Sequence, residues 1–436
     1  MPNERNPLSH DERTSRMRTR LIHGVSHTGR WDYDHHVVPP MTASATFRLD
    51  SAERGARGFE AFARGEGLDP HDEHIYIYDR LDEPTCGMLQ DNLAAAEGGQ
   101  MALCFASGMA AISAAIGVLT RSGDHVIAHR VLYGCTYSLI ENWLPRYGVA
   151  HTLVDLTREE ELRRAVRDET RVIYFETPVN PDMTMIDVAA VRRVADAANA
   201  GRDPADRVWV VVDNTFATPY CQRPLTLGAD VVCQSLTKGI GGFGTDIGGA
   251  VIGPKELHQP LQLYRKDFGG SLSPKAAWPT LVYGLPTLGA RMSNYQKSAL
   301  RVARFLEAHP KVERVLYPGL DSFPQRDLAR RQMIDVHQKF APGSMIYFVV
   351  RDPEGEGRPA ARLINWIAEH AYAITLAVSL GQIKTLIEAP FTMTHSAMPA
   401  AEKLARGLAP GGIRLSVGLE DWTDILTDLE EALRAV

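Results

Sequence analysis

Gln234-Ser-Leu-Thr-Lys238-Gly-Ile-Gly-Gly-Phe-Gly-Thr-Asp-Ile-Gly-Gly249 follows the apolar run Ala229-Asp-Val-Val-Cys233. That run reads as a buried strand. Beyond it one lysine stands between small hydroxyl residues and a series of glycines. Ser235 and Thr237 can donate hydrogen bonds to an anion, and the glycines let backbone approach a ligand closely. A poorly solvated lysine loses its proton and can attack a carbonyl carbon. A surface lysine after a strand is the simpler alternative, and the segments upstream decide between the two.

The deciding segment is Val210-Val-Val-Asp213-Asn-Thr-Phe-Ala-Thr-Pro219. Asp213 ends an apolar strand read over Val208 to Val212. An acidic residue at the carboxyl end of an interior strand of an α/β sheet stands where ligands bind. A carboxylate there can keep a pyridinium nitrogen protonated, which a pyridoxal phosphate (PLP) electron sink requires. Taken alone, Asp213 reads equally well as a helix N-cap. With Lys238 after the next strand, the pair points to PLP chemistry.

At this point the chain resembles the PLP-dependent Cys/Met metabolism (trans-sulfuration) family, from about Thr19 to the C-terminus. The resemblance implies an α/β chain of PLP fold type I, the aspartate-aminotransferase-like class. It implies a large domain with a mostly parallel sheet and a smaller α+β C-terminal domain. We expect an N-terminal arm and lid-like segment over 1–74, a PLP-binding large domain over 75–272 and the C-terminal domain over 273–436.

Length and composition agree with that expectation. The chain has 436 residues, 44% hydrophobic and 23% charged, as a soluble two-domain enzyme would. A net charge of -6 argues against a nucleic-acid partner. No apolar run reaches membrane-span length, and the N-terminus shows no secretory pattern. The five cysteines, Cys86, Cys104, Cys135, Cys221 and Cys233, lack metal-ligand spacing and suggest a reducing cytoplasm. His35-His36 is adjacent, which suits no two ligands on one helix face, so no metal site is expected.

Several further segments carry the resemblance. Tyr78-Asp-Arg80-Leu-Asp-Glu83-Pro84-Thr85 is similar to the family's Tyr-x-Arg-x-x-Asn-Pro-Thr, with Glu83 in place of Asn. By resemblance, Tyr78 and Arg80 reach the PLP phosphate of a neighbouring subunit, as a phenol and a guanidinium fork suit phosphate oxygens. Ser107-Gly108-Met109 opens a helix read to Leu119; its N-terminal N–H groups and dipole suit the phosphate of the chain's own cofactor. Tyr133 takes the place of the family tyrosine that stacks on the pyridine and passes a proton to the leaving group. Cys135, in Tyr133-Gly-Cys-Thr136, resembles the methionine γ-lyase version; a small buried hydrophobe is its alternative reading. Glu176-Thr-Pro-Val-Asn180-Pro181 resembles the family's floor element, with Asn180 on the PLP phenolic oxygen. In the C-terminal half, Ser379 and Arg414 take the places that hold the substrate α-carboxylate, and Met393-Thr394-His395-Ser396 is a further family element. Thr157-Arg-Glu-Glu160 reads as a capping box opening a helix to about Val166.

Departures are equally visible. Gly239 replaces an aromatic residue common after the lysine, Phe243 stands in the later Gly-His element, and Ala389 replaces a histidine. Gly244-Thr-Asp-Ile-Gly-Gly249 resembles O-acetylhomoserine sulfhydrylases, whereas Lys266-Asp267 resembles methionine γ-lyases. The resemblance therefore implies γ-elimination on a methionine- or homoserine-type amino acid. Two alternatives stay open: γ-replacement on an O-acyl homoserine, and elimination from a derivative with another γ-heteroatom, such as canavanine. A catalytically silent PLP-fold scaffold is the alternative from another class. The implied assembly is a homodimer of dimers.

Overall fold

The structure, a computed structural model, describes residues 17–23, 36–65, 74–394, 400–405 and 407–436. Residues 1–16, His35, the 66–73 part of the lid-like segment and His395-Ser396 lie outside the described residues.

Seven strands form the large sheet: β1 (Met101–Phe105), β2 (His125–His129), β3 (Ala150–Val154), β4 (Thr170–Glu176), β5 (Trp209–Asp213), β6 (Val231–Ser235) and β7 (Gly249–Gly253). Their spatial order is β1-β7-β6-β5-β4-β2-β3. The strands from β6 to β3 pair in parallel, while β7 is antiparallel to both β1 and β6. A parallel sheet covered on both faces needs apolar residues at consecutive positions. Val210, Val211 and Val212 meet that need, all three fully buried. Side chains alternate along a strand. Val211 and Tyr174 accordingly pack with Ile112 and Ala115 of the helix Gly108–Leu119. Val210 and Val212 pack with Val191, Val194 and Ala195 of the helix Val188–Asn199.

This topology places the site. Because β7 is antiparallel to both neighbours, β1 runs in the direction of β6. The carboxyl ends of β1, β4, β5 and β6 therefore share one edge of the sheet. The register sets Glu176 directly beside Asp213. Ser107 follows β1, and Lys238 follows β6 in an irregular turn, Leu236–Ile240, kinked at the lysine (φ -97°, ψ -136°).

The second sheet holds β8 (Val312–Leu316), β9 (Met345–Val350), β10 (Ile374–Leu376), β11 (Thr385–Glu388) and β12 (Gly412–Ser416), in the order β10-β11-β12-β9-β8. All its pairs are antiparallel except β10–β11. The helix Leu285–Ala308 serves both halves. Leu285, Leu288 and Met292 join one apolar cluster, and Ala299, Val302 and Leu306 join the cluster under the second sheet.

Two local readings are settled by hydrogen bonds. Glu83 is the N-cap of the helix Pro84–Glu97, its carboxylate accepting from Thr85 N at 2.8 Å and from Cys86 N. The acid thus supplies the capping acceptor where the family carries Asn. The capping box at Thr157–Glu160 does not form. Asp155 Oδ1 accepts from Thr157 N at 3.1 Å and from Thr157 Oγ1 at 2.6 Å, and the helix starts at Glu159 without a side-chain cap. A charge-assisted bond to the upstream carboxylate outcompetes the neutral cap.

The segment Ala52–Arg64 is a helix capped by Ser51 and ended by Gly65. It rests against the helix His258–Phe268, where Gln259 Nε2 donates to Ala63 O. Among the described residues no helix is long and apolar enough to cross a membrane, and no group of three His, Cys, Asp or Glu could hold a metal ion.

Candidate active site

A cavity of about 290 Å³ opens over the shared strand edge. Its walls include Ser107, Gly108, Met109, Tyr133, Asn180, Asp213, Ser235, Thr237 and Lys238 from the first half of the chain. Ser379, Thr394 and Arg414 close it from the second half. Eleven of the fourteen residues singled out from sequence for PLP or substrate, Ser379 and Arg414 among them, are thereby brought to one place; Tyr78, Arg80 and Cys135 are not on its walls.

Ser107 caps the Gly108–Leu119 helix, its Oγ accepting from Ala110 N at 3.1 Å. The N–H groups of Gly108 and Met109 precede the first intrahelical bond, from Ala111 N to Ser107 O, and have no helical acceptor. The cradle is tight: a Cβ on Gly108 would lie 3.0 Å from Ser235 Cβ, and one on Gly249 would strike Ser107 O. Thr237 has its hydroxyl engaged with Gly248, accepting from its N at 3.1 Å. Backbone donors at a helix start, glycine clearance and flanking hydroxyls make a fitting cup for a phosphate.

Asp213 has only neutral partners. Its Oδ1 accepts from Thr215 N at 2.9 Å and its Oδ2 lies 3.5 Å from Tyr174 Oη. Burial pushes its carboxyl above the usual range, with no cation among the causes that oppose the shift. A buried carboxyl with this partner set is suited to a cationic N–H donor such as a pyridinium. Glu176, alongside on β4, is pushed up to about 8 by burial and then by the charge of Asp213. It accepts from Tyr133 N at 2.6 Å. Beneath them Glu97 is fully buried. Its Oε1 accepts from Asn214 Nδ2 at 3.0 Å and from Gln234 Nε2, its Oε2 has no partner among the described residues, and burial pushes it up to about 7.

These two glutamates have folded pKa values above the reference value of 4.5, so the folded chain holds protons that the unfolded chain releases. Their stabilisation is complete below about 4.5 and is lost as pH rises through about 7 and 8. We expect the cofactor-free chain to lose on the order of 2 kcal/mol of unfolding free energy between mildly acidic and mildly alkaline buffer. Denaturant melts across that interval check it, and Glu97→Gln should flatten the slope.

Lys238 is the third element. Its Nζ donates to Ser379 Oγ at 2.7 Å. Burial, then the charge of Arg414, lowers the amine to about 8, with Glu388 opposing. An amine of that pKa is about one-tenth free base at neutral pH, far more than an unperturbed lysine. Arg414 is buried and threefold anchored: Nη1 donates to Asn180 Oδ1 at 2.9 Å, and Nη2 reaches Ser379 O at 2.9 Å and Glu388 Oε1 at 3.0 Å. Ser379 holds a left-handed backbone (φ 90°), uncommon for a residue with a side chain. The Arg414 bond to its carbonyl helps keep it there.

Tyr133 is 38% exposed, with its hydroxyl accepting from Cys135 Sγ at 3.4 Å. Burial and then that contact push the phenol pKa well up, so Tyr133 stays protonated. Tyr78 and Arg80 lie on the surface, Arg80 Nη1 donating to Lys266 O at 2.6 Å and its guanidinium 5.5 Å from the Tyr78 ring centroid. Lys266 and Asp267 pair with each other at 2.6 Å in the same region, off the cavity walls.

Two contributors were not legible beforehand. Arg291, on the Leu285–Ala308 helix, clamps the chain just past the lysine, donating to Gly239 O at 2.8 Å, Ile240 O at 3.0 Å and Gly284 O at 2.7 Å. Glu388 stands directly opposite Arg414 across the β11–β12 pair. The signal for Glu388 was an acid closing the apolar run Leu386-Ile387. The Gly239 departure also has its reason: a Cβ there would lie 2.7 Å from Thr218 Cγ2, and a Cβ on Gly381 would lie 2.5 Å from Gly239 N. The two glycines meet main chain to main chain.

A lysine amine, a carboxyl set for a pyridinium and a helix-start phosphate cup, on the carboxyl edge of this sheet, define a PLP-dependent enzyme of fold type I. The chain belongs to the family described as Cys/Met metabolism PLP-dependent enzymes, whose model matches residues 18–434. It is 40% identical over 417 residues to L-methionine gamma-lyase of Porphyromonas gingivalis, spanning 95% of this chain and 96% of that relative. It is 39% identical over 362 residues to cystathionine gamma-lyase of Bacillus subtilis, spanning 83% and 89%. The crystal structure of cystathionine gamma-lyase from Lactobacillus plantarum complexed with L-serine matches with a TM-score of 0.82 at 32% identity, covering 97% of this chain and 99% of that one.

Proposed function

We propose that the chain is a γ-lyase for an L-methionine-type amino acid. It converts substrate and water to a thiol, a 2-oxo acid and ammonia. The observation that carries this reading is the Cys135–Tyr133 contact beside the Lys238–Ser379–Arg414 group. The 40% identity to a methionine lyase over 95% of the chain supports it.

Bound through Lys238, PLP supplies the electron sink that acidifies the substrate's Cα and Cβ hydrogens. Ser107, Gly108, Met109, Ser235 and Thr237 hold its phosphate, Asp213 its ring nitrogen and Asn180 its phenolic oxygen. Arg414 receives the substrate carboxylate on the N–H groups its protein partners leave over. Lys238, with an amine near 8, takes the Cα proton, and Ser379 Oγ steadies that amine between transfers. Tyr133 keeps its proton until the γ sulfur departs and then donates it from Oη. Phe216 and Leu380 line the same cavity and keep water from the reacting carbons.

A panel of L-methionine, L-homocysteine, L-cystathionine, O-acetyl-L-homoserine and L-canavanine, with 2-oxo acid and ammonia measured, tests the reading. Methionine-type substrates should yield both products. Absence of both from every one of them discards it in favour of replacement or another γ substituent.

We further infer a homodimer of dimers in which Tyr78 and Arg80 complete the phosphate site of a neighbouring subunit. Support comes from the cavity itself: among the described residues its only lysine and arginine are Lys238 and Arg414, both tied to Ser379. A phosphate dianion is then left to hydroxyls and backbone unless a partner adds a cation. Mixing inactive Arg80→Ala with inactive Lys238→Ala subunits should restore about a quarter to a half of native sites' activity through hybrids, on the order expected for shared sites. No recovery after subunit exchange counts against sharing. The division near residue 272 and a cytoplasmic location, supported by four buried free thiols and one exposed, complete the reading.

A further inference from the structure

Arg414 and Glu388 are register partners on β12 and β11, both almost fully buried, at 3% and 1% exposed. A guanidinium has five N–H donors. Three are taken by Asn180 Oδ1, Ser379 O and Glu388 Oε1, and only the last acceptor is charged. Glu388 Oε1 also accepts from Thr394 Oγ1 at 3.0 Å, while Oε2 is buried without a partner among the described residues. Thr394 lines the cavity, and its carbonyl lies 2.8 Å from where a Cβ on Gly134 would stand. One carboxyl oxygen therefore ties the cation on β12 to the turn that abuts the Tyr133–Cys135 segment.

We propose that Glu388 is a positioning residue for the substrate carboxylate: through Oε1 it fixes the Arg414 guanidinium plane and holds the Thr394 wall against it. This rests on the reading of Arg414 as the carboxylate anchor. The contribution is geometric. The charge of Glu388 opposes an incoming carboxylate at the same guanidinium. What Glu388 supplies is an acceptor that spares Arg414 a loose, unsatisfied N–H, so that less ordering remains to be done on binding.

The holoenzyme is titrated by its visible absorbance with two ligands. L-Norleucine has the α-carboxylate but no γ leaving group, and pentylamine is the same skeleton without the carboxylate. Glu388→Ala should raise the norleucine dissociation constant about tenfold or more and leave that of pentylamine unchanged. Glu388→Gln, which keeps an acceptor for both bonds, should recover most of the lost affinity. Unchanged norleucine binding in Glu388→Ala, an equal shift for both ligands, or no recovery in Glu388→Gln overturns the proposal. Arg414→Lys reports the underlying reading separately. If it leaves norleucine binding intact, Arg414 is not the anchor; if it weakens norleucine and Glu388→Ala does not, the role of Glu388 alone fails. Should Glu388→Ala not fold, Thr394→Val removes one of the two bonds on Oε1. It should weaken norleucine about threefold and spare pentylamine, and no change there also overturns the proposal.

Discussion

Lys238→Ala is expected to lower turnover roughly 10⁴-fold, because in the proposed mechanism it removes both the covalent anchor and the base for the Cα proton. The structure lets this be separated from misfolding. Lys238 makes one side-chain hydrogen bond, to Ser379 Oγ, and the turn that carries it is fixed by its neighbours: Arg291 grips Gly239 O and Ile240 O. The cofactor-free variant should therefore melt within about 1 kcal/mol of the parent chain. Steady-state turnover, visible absorbance and a denaturant melt together decide the matter. A variant that keeps both the chromophore and its turnover removes Lys238 from the mechanism.

Asp213→Asn carries the second large effect, a loss of roughly 10²–10³-fold in turnover. The amide can still accept from Thr215 N but carries no charge to hold a protonated ring. It has a second consequence with a fixed sign. After burial, the charge of Asp213 is what most raises Glu176, so removing it lets Glu176 fall below about 8. The Glu176 share of the stability lost on raising pH should then be smaller and be complete at a lower pH than in the parent chain. Turnover within tenfold of native would show that ring protonation is secured elsewhere.

The large sheet was legible because strands buried on both faces are apolar at every position, and Val210-Val211-Val212 cannot be anything else in this context. Its functional edge was legible because β4, β5 and β6 each end in a polar residue after such a run. Short strands escaped: β10 and β11 have three and four residues, too few for a period to declare itself. Thr157 misled because the capping signature is local, and Asp155, two residues earlier, offered a stronger acceptor. Arg291 and Glu388 escaped for the opposite reason. Their partners lie 52 residues away in the chain for Arg291 with Gly239, and across a strand pair for Glu388 with Arg414. Nothing in the immediate neighbourhood of Arg291 announces such a contact, and the acid that closes the run Leu386-Ile387 marks Glu388 without naming its partner.

The main-chain contact between Gly239 and Gly381 bears on how this enzyme could be redesigned. With no side chain on either partner, the main chain beside the lysine has nothing to trim and no space to enlarge; any substitution there would push the lysine turn itself. The rim differs. Ile247 is 64% and Val378 56% exposed, so each can be exchanged for a larger or smaller residue without disturbing a packed neighbour. Libraries seeking acceptance of bulkier leaving groups should therefore randomise those two rim positions and leave both glycines fixed.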